Sequence, residues 1–365
     1  MATEGQRLVR DYAIPPGETL LESIDSLGMT QAELSRRMGR PLKTINEIIK
    51  GKAMITADTA LQLERVLGAP ARFWLNLEAN YREDLARLEE MRKLEREIEW
   101  LREIPCREME EYGWLDTSGD SSDAGKLDAV LRYFGVASVG SWVETWKSPG
   151  AIYRKSSLFQ AAPGPVAAWL RRGEIVAART TCQAYDQKRF QTAVNLARTL
   201  TIEPPEVFVP RLQSVCAASG VVVAFVRELN KCPVSGATRW LTPSKALIQL
   251  SLRYKTDDQL WFTFFHEAGH ILLHNKKLAF LESSEMTGAT EEKLDQEADQ
   301  FAENTLIPQL KWCEFVSGGS LNMSGVVGFS RSLGIAPGIV VGRLQHERLI
   351  PFNRFFSLKR KLKWA

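Results

Sequence analysis

The sequence predicts a multidomain, mainly α protein whose C-terminal part is an α+β domain with a small sheet. Three observations carry this expectation. At 365 residues the chain has room for two or three domains, and 44% hydrophobic residues are enough for packed cores. Before Gly220, apolar residues recur mostly at intervals of three and four, the period of a helix. After it, β-branched and aromatic residues crowd between turn signals in GVVVAFVREL and ATRWLTPSKALIQLSL, which read as a buried strand and a following hairpin.

Residues 1–80 are expected to form a small helical bundle. Leu20, Leu21, Ile24 and Leu27 make one apolar face that Gly28 closes. Thr30-Gln31-Ala32-Glu33 is a capping box opening a second helix, which ends at Gly39. Pro41 suits the first position of a third helix, Gly51 its end, and Thr56 the cap of a fourth. The second and third helices have helix-turn-helix proportions. Leu42, Ile45 and Ile48 are expected to pack inward, leaving Lys43, Thr44, Asn46, Glu47 and Lys50 outward as donors and acceptors for base edges and phosphates. From Arg36 to Lys52 there are six basic residues and one acid, a patch suited to double-stranded DNA.

Residues 81–115 read as a long charged connector helix with an apolar stripe at Leu85, Leu88, Met91, Leu94, Ile98 and Leu101, which could serve a homodimer or equally pack on its own chain. Residues 116–126, including DTSGDSSDAG, read as a linker. Residues 127–205 repeat helical patterns (KLDAVLRYFGV, PVAAWLRRGEIVAA, RFQTAVNLARTL), with Trp142, Trp146, Tyr153 and Trp169 expected as packing. Residues 206–365 form the last domain. Within it, Lys245–Leu252 is expected to offer a strand edge to an extended polypeptide. Helices are expected near Ser324–Gly334 and Pro337–Gln345. The basic end, Lys359 to Lys363, reads as a solvated tail or a nucleic-acid contact, and His346 as structural.

The chemistry is concentrated in WFTFFHEAGHILLH, from Trp261 to His274. His266 and His270 lie four apart on one helical face and can grip one metal ion, for which zinc suits neutral imidazoles in tetrahedral geometry. Glu267 between them would take a proton from water. A pair of hydrogen-bonded core histidines is the plainer alternative, but burying two imidazoles and a carboxylate in so apolar a helix is costly unless something pairs them. His274 lies eight residues beyond His266, about 12 Å along a helix axis, so it reads as a catalytic-site residue that orients a ligand or faces substrate, or else as a structural one, rather than as a third ligand. The third ligand is expected in ATEEKLDQEADQFAENTLIP, where Glu297 borders the apolar stripe and Asp299 and Glu291 compete.

These motifs resemble known families. The HExxH helix followed by Glu297-Ala298-x-x-Phe301-Ala302 resembles the ImmA/IrrE metallopeptidases over roughly the last 150 residues. The resemblance implies a gluzincin-like site in which His266, His270 and Glu297 hold Zn2+ and Glu267 is the general base. Residues 15 to 85, with GMTQAELSRRMG and INEIIKGKAMITADTALQLERVLG, resemble HigA-type antitoxins of the Cro/C1-like class, which implies a five-helix bundle. It also implies DNA binding through Gln31 and the third helix (Lys43, Thr44, Asn46), with Arg36, Lys50 and Lys52 nearby.

Net charge of +3 is too small to announce nucleic acid by itself, so that expectation rests on the local cluster. Five scattered cysteines without a Cys-x-x-Cys pair fit reduced thiols, and no stretch reads as a signal peptide or membrane span, so the expected location is cytoplasmic. The combined expectation is a DNA-binding regulator or antitoxin with a zinc endopeptidase domain that cleaves a partner regulator or toxin encoded nearby. The alternative is a non-catalytic repressor whose peptidase-like domain binds or senses a toxin.

Overall fold

Caps decide where the first helices begin and end. The computed structural model describes residues 12–147, 163–274, 288–319 and 321–364, without the side chains of 288–291. Its first five helices are α1 (Pro16–Ser26), α2 (Gln31–Met38), α3 (Leu42–Ile49), α4 (Ala57–Leu67) and α5 (Ala71–Glu97). Thr30 Oγ1 accepts from Glu33 N at 3.2 Å and Thr56 Oγ1 from Thr59 N at 3.3 Å, satisfying first-turn donors that no helix can satisfy itself. Gly39 closes α2 at φ 63°, a left-handed conformation that costs a glycine little. Leu20, Leu34, Ile45, Leu63 and Trp74 are buried together in the bundle's core.

Three residues depart from the pattern. Pro41 is the N-cap of α3 rather than its first residue, and Leu42 is 43% exposed instead of inward. Leu27 falls after the end of α1 and is exposed. The helix α5 starts before residue 80 and runs unbroken to Glu97, held to the bundle by buried Glu78. That carboxylate accepts from Ile55 N at 3.1 Å and from Arg82 Nε at 2.7 Å. A 3-10 turn, Ile98–Glu103, then takes over, so Ile98 and Leu101 do not extend the α-helical stripe.

The chain divides into two compact units, Met1–Glu99 with Thr117–Asp128, and Trp100–Asp116 with Ala129–Ala365. After α6 (Cys106–Glu111), the segment read as a linker makes its own caps. Asp120 accepts from Ser122 N at 2.8 Å and Ser122 Oγ from Gly125 N at 3.0 Å, so α7 (Asp123–Phe134) begins inside it. Next come α8 (Val139–Trp142), a π turn (Val143–Lys147), α9 (Pro163–Arg179), α10 (Gln187–Thr199) and α11 (Pro205–Ala217). Trp142, Trp146 and Trp169 are buried packing residues, as expected; Tyr153 lies outside the described residues.

Strands β1 (Val221–Phe225), β2 (Gly236–Thr242) and β3 (Lys245–Leu250) form one sheet in the order β1-β3-β2. β1 runs parallel to β3, and β2 returns antiparallel as the hairpin partner. β3 is therefore central, which overturns the expectation that Lys245–Leu252 offers a free edge. Residues paired on both sides have no backbone groups left for another chain. Among the described residues the free edge on the hairpin side belongs to β2.

The motif helix α12 (Asp257–Leu273) buries Trp261, Phe264 and Phe265 in the large core shared with the sheet. It packs against α13 (Gly288–Leu306); α14 (Gln309–Ser317), α15 (Met323–Leu333) and α16 (Pro337–His346) follow. No single helix among the described residues is long and apolar enough to cross a membrane.

The basic C-terminal stretch is neither a solvated tail nor free for nucleic acid over Lys359 and Arg360. Lys359 Nζ meets Asp258 Oδ2 at 2.7 Å with both side chains buried. Asp257 N donates to Arg360 O at 3.0 Å, and Arg360 N returns a bond to Asp257 Oδ1 at 2.9 Å. The Arg360 guanidinium donates to Ile202 O and Glu203 O. This strap holds the start of α12. Glycines make room for the two acids, since a Cβ at Gly338 or Gly342 would stand 2.6 Å from an oxygen of Asp257 or Asp258.

Candidate metal centre and nucleic-acid interface

Close approach of α12 and α13 builds the centre. A Cβ at Gly269, the last residue before His270, would stand 3.1 Å from Phe301 Cδ1 and 3.2 Å from Ala298 Cα. Ala298 and Ala302 are fully buried. The small residues at these positions let the two backbones come near enough for short acidic side chains on α13 to reach the imidazoles on α12.

His266 Nε2 and His270 Nε2 lie 3.0 Å apart, and Asp295 Oδ1 lies 3.4 Å from His270 Nε2. One nitrogen from each ring and one Asp295 oxygen all fall within 4.8 Å of one another. The other ring nitrogens are engaged elsewhere. His266 Nδ1 is 2.7 Å from Asp299 Oδ1, and a carboxylate there makes Nδ1 the protonated nitrogen. His270 Nδ1 is 3.0 Å from His274 Nδ1. His274 Nε2 in turn lies 3.4 Å from Glu297 Oε2 without a well-directed hydrogen bond. If each Nδ1 of His266 and His270 carries its proton, both Nε2 lone pairs and the Asp295 carboxylate face one another, which is unfavourable without a cation among them.

The spacing fits such a cation. Ligands at about 2.0–2.1 Å in tetrahedral array stand about 3.3 Å apart, close to the 3.0 and 3.4 Å separations found here. The charges agree. Burial alone would lower the pKa of His266, but the hydrogen bond to Asp299 and the charges of Glu267, Asp299 and Asp295 outweigh it and raise it. Burial and the neighbouring His270 push the pKa of His274 down. With the proton on His270 Nε2 instead, that ring bonds Asp295 and lowers its pKa against the opposing effect of burial.

Of the residues expected from sequence, His266 and His270 come together. Asp295, not Glu297, is the α13 carboxylate that meets them. Glu297 lies against His274 instead, and Asp299 backs His266. The side chain of Glu291 lies outside the described residues. Asp295 sits two residues before the matched Glu-Ala-x-x-Phe-Ala pattern. The available signal was helical register: 295 and 299 are four apart and share a face with Ala298 and Ala302, whereas 297 is turned from it. His274 follows the last residue of α12 in extended conformation, so its ring folds back to His270 rather than lying two turns along an axis. Glu267 is buried, and its Oε1 would be 2.8 Å from a Cβ at Gly236, so its side chain lies under the first residue of β2.

In the N-terminal unit, Gln31 opens α2 and is half-buried. Lys43, Lys50 and Lys52 are exposed, and Thr44 and Asn46 are half-buried on α3. Arg36 is exposed in the last turn of α2. The Lys43 side chain is 85% exposed, with its nearest carboxylate, Glu47, at a loose 3.8 Å. Lys43, Asn46, Glu47 and Lys50 repeat at three and four along one helical face.

A family model described as helix-turn-helix matches residues 20–74, and one described as the IrrE N-terminal-like domain, of peptidase family M78, matches residues 226–311. Virulence-associated protein I of Dichelobacter nodosus is 40% identical over 70 residues, 19% of this chain and 65% of that protein. The uncharacterized HTH-type transcriptional regulator YddM of Escherichia coli K12 is 35% identical over 63 residues, 17% of this chain and 67% of its own length. The chain thus spans about two thirds of these relatives. Among solved structures, an addiction module antidote protein of the HigA family from Coxiella burnetii is 36% identical, with a TM-score of 0.22, over 23% of this chain and 94% of the other.

Proposed function

Starting from a chain that belongs to the helix-turn-helix family over residues 20–74 and matches the IrrE N-terminal-like model of peptidase family M78 over residues 226–311, we propose a DNA-binding, antitoxin-like regulator with a zinc-dependent endopeptidase domain. The convergence of two imidazole nitrogens and one carboxylate on a cation-sized gap carries the second half of this reading.

His266, His270 and Asp295 would hold the ion. Asp299 orients His266, and His274, backed by Glu297, orients His270, each by a contact on the ring nitrogen turned away from the gap. The bound zinc would acidify a water and polarise a carbonyl. Glu267, next to His266, would serve as the base, accepting a proton from water and returning it to the leaving amine. The β2 edge is the place for an extended substrate, because Gly236 begins that strand directly over Glu267 and Thr238 Oγ1 ties β2 to the motif helix through Glu267 O at 3.1 Å. The substrate is proposed to be a regulatory protein or toxin encoded nearby. The exposed face of α3 would enter the major groove of operator DNA, Gln31 and Asn46 reading base edges while Arg36, Lys43, Lys50 and Lys52 meet phosphates. A homodimer would match two half-sites.

The test is the Glu267→Gln variant of the full chain, incubated with the products of neighbouring genes. Zinc content is expected to stay at the wild-type level while cleavage falls at least about a hundredfold, the usual contribution of a general base. Cleavage unchanged in the variant, or absent in the zinc-loaded wild type, contradicts the peptidase reading.

A further inference from the structure

The first residue of α3 is a leucine that the fold leaves in the open. Leu42 follows Pro41 as N-cap and is 43% exposed, whereas Ile45 and Ile48 of the same helix are buried in the bundle's core. The cause is local. In a helix each Cα–Cβ bond tilts toward the N-terminus, so a side chain at the first position projects past the helix end instead of lying over a preceding turn. Leu42 also stands one turn before Asn46 on the same side of α3.

Single exposed apolar side chains are ordinary on protein surfaces, and exposure alone assigns Leu42 nothing. Its position does. A recognition helix meets base edges with its N-terminal residues, and Leu42 is the N-terminal residue of α3. The exposed cations around it, Lys43, Lys50 and Arg36 of α2, suit phosphates, which leaves Leu42 and Asn46 for the floor of the groove. That floor presents hydrogen-bond donors and acceptors at every base pair, and its apolar feature is the C5-methyl group of thymine. An aliphatic side chain pressed on any other edge strips water from a polar group and supplies no bond in return. We propose that Leu42 is a specificity-determining residue that reads the methyl group of an operator thymine. The inference rests on the DNA-binding reading above.

The experiment first locates, by footprinting with the full-length protein, the operator in the chain's own promoter. Each protected thymine is then replaced singly by deoxyuridine, which removes the methyl group and keeps the hydrogen-bonding edge. Every duplex is titrated with the wild type, with Leu42→Ala and with Thr44→Ser, the second variant removing the methyl group of a half-buried neighbour on α3. The wild type is expected to bind one of the substituted duplexes about fourfold more weakly, the worth of one buried methyl group. Leu42→Ala puts a strong helix former at an exposed site, so it is expected to melt at the wild-type temperature. It is expected to bind the thymine operator at least about fourfold more weakly and to lose nothing more on the same replacement. Thr44→Ser is expected to keep the penalty. Specific operator binding by the wild type with no thymine whose methyl group matters overturns the proposal and leaves the DNA-binding reading standing, and that series needs neither variant. A penalty that survives in Leu42→Ala, or vanishes in Thr44→Ser, overturns it as well. A wild-type protein that protects no sequence in the promoter removes the DNA-binding reading and this inference with it.

Discussion

Asp257 is buried at the start of the motif helix, where desolvation lifts its pKa to about 6 against the two backbone N–H groups that favour the ionised form. The folded chain thus binds this proton more tightly than the unfolded chain, in which an aspartate titrates near about 3.9. Its favourable contribution is complete below about pH 4 and is lost as pH rises through about 6. Asparagine keeps the accepting oxygen without the charge. Asp257→Asn is therefore expected to raise unfolding free energy by about 1–3 kcal/mol at about pH 8, with no gain at about pH 4. Urea melts of both proteins across that range check it, and a gain that is the same at both ends contradicts the assignment. Asp258, one residue on, is ion-paired with Lys359 and serves a different purpose. Neighbouring acids acquire separate roles from burial and partner alone.

At the scale of elements, two helix surfaces matter. The α12–α13 contact depends on Gly269 against Ala298 and Phe301. Gly269→Leu is expected to force the helices apart, costing about 1–3 kcal/mol and abolishing stoichiometric zinc binding although every ligand is intact. Metal analysis beside a thermal melt measures both, and full zinc occupancy in the variant contradicts the packing argument. The outward face of α3 is the second surface. Lys43→Ala is expected to weaken binding to the chain's own promoter DNA about equally for all sequences and to reduce the salt slope by about one. A titration over a salt series reads the slope, and a loss confined to one operator sequence would show that Lys43 reads a base.

Over the whole molecule, what could be read from sequence followed how local the determining physics is. Thr30, Thr56 and Gly39 act within one turn, and the bundle's helices begin and end close to where those residues indicate. The strand and hairpin after Gly220 were legible from β-branched runs and turn signals. The order β1-β3-β2 was not, because parallel pairing of Val221–Phe225 with Ala246–Leu250 is a long-range choice that leaves no mark on either strand alone. The capture of Lys359 and Arg360 by the start of α12 was hidden for the same reason: a run of basic residues looks identical whether water or a buried Asp258 receives it. The histidine pair was visible as a motif, but which acid on α13 meets it depends on crossing geometry set by Gly269 and Ala298. The most direct test of the central claim is zinc stoichiometry of the full-length protein in three forms: wild type, Asp295→Ala and Glu297→Ala. One zinc per chain in the wild type, loss in Asp295→Ala and near-wild-type content in Glu297→Ala is the expected result. Wild-type protein that binds no zinc, or zinc retained in Asp295→Ala and lost in Glu297→Ala, would contradict the account.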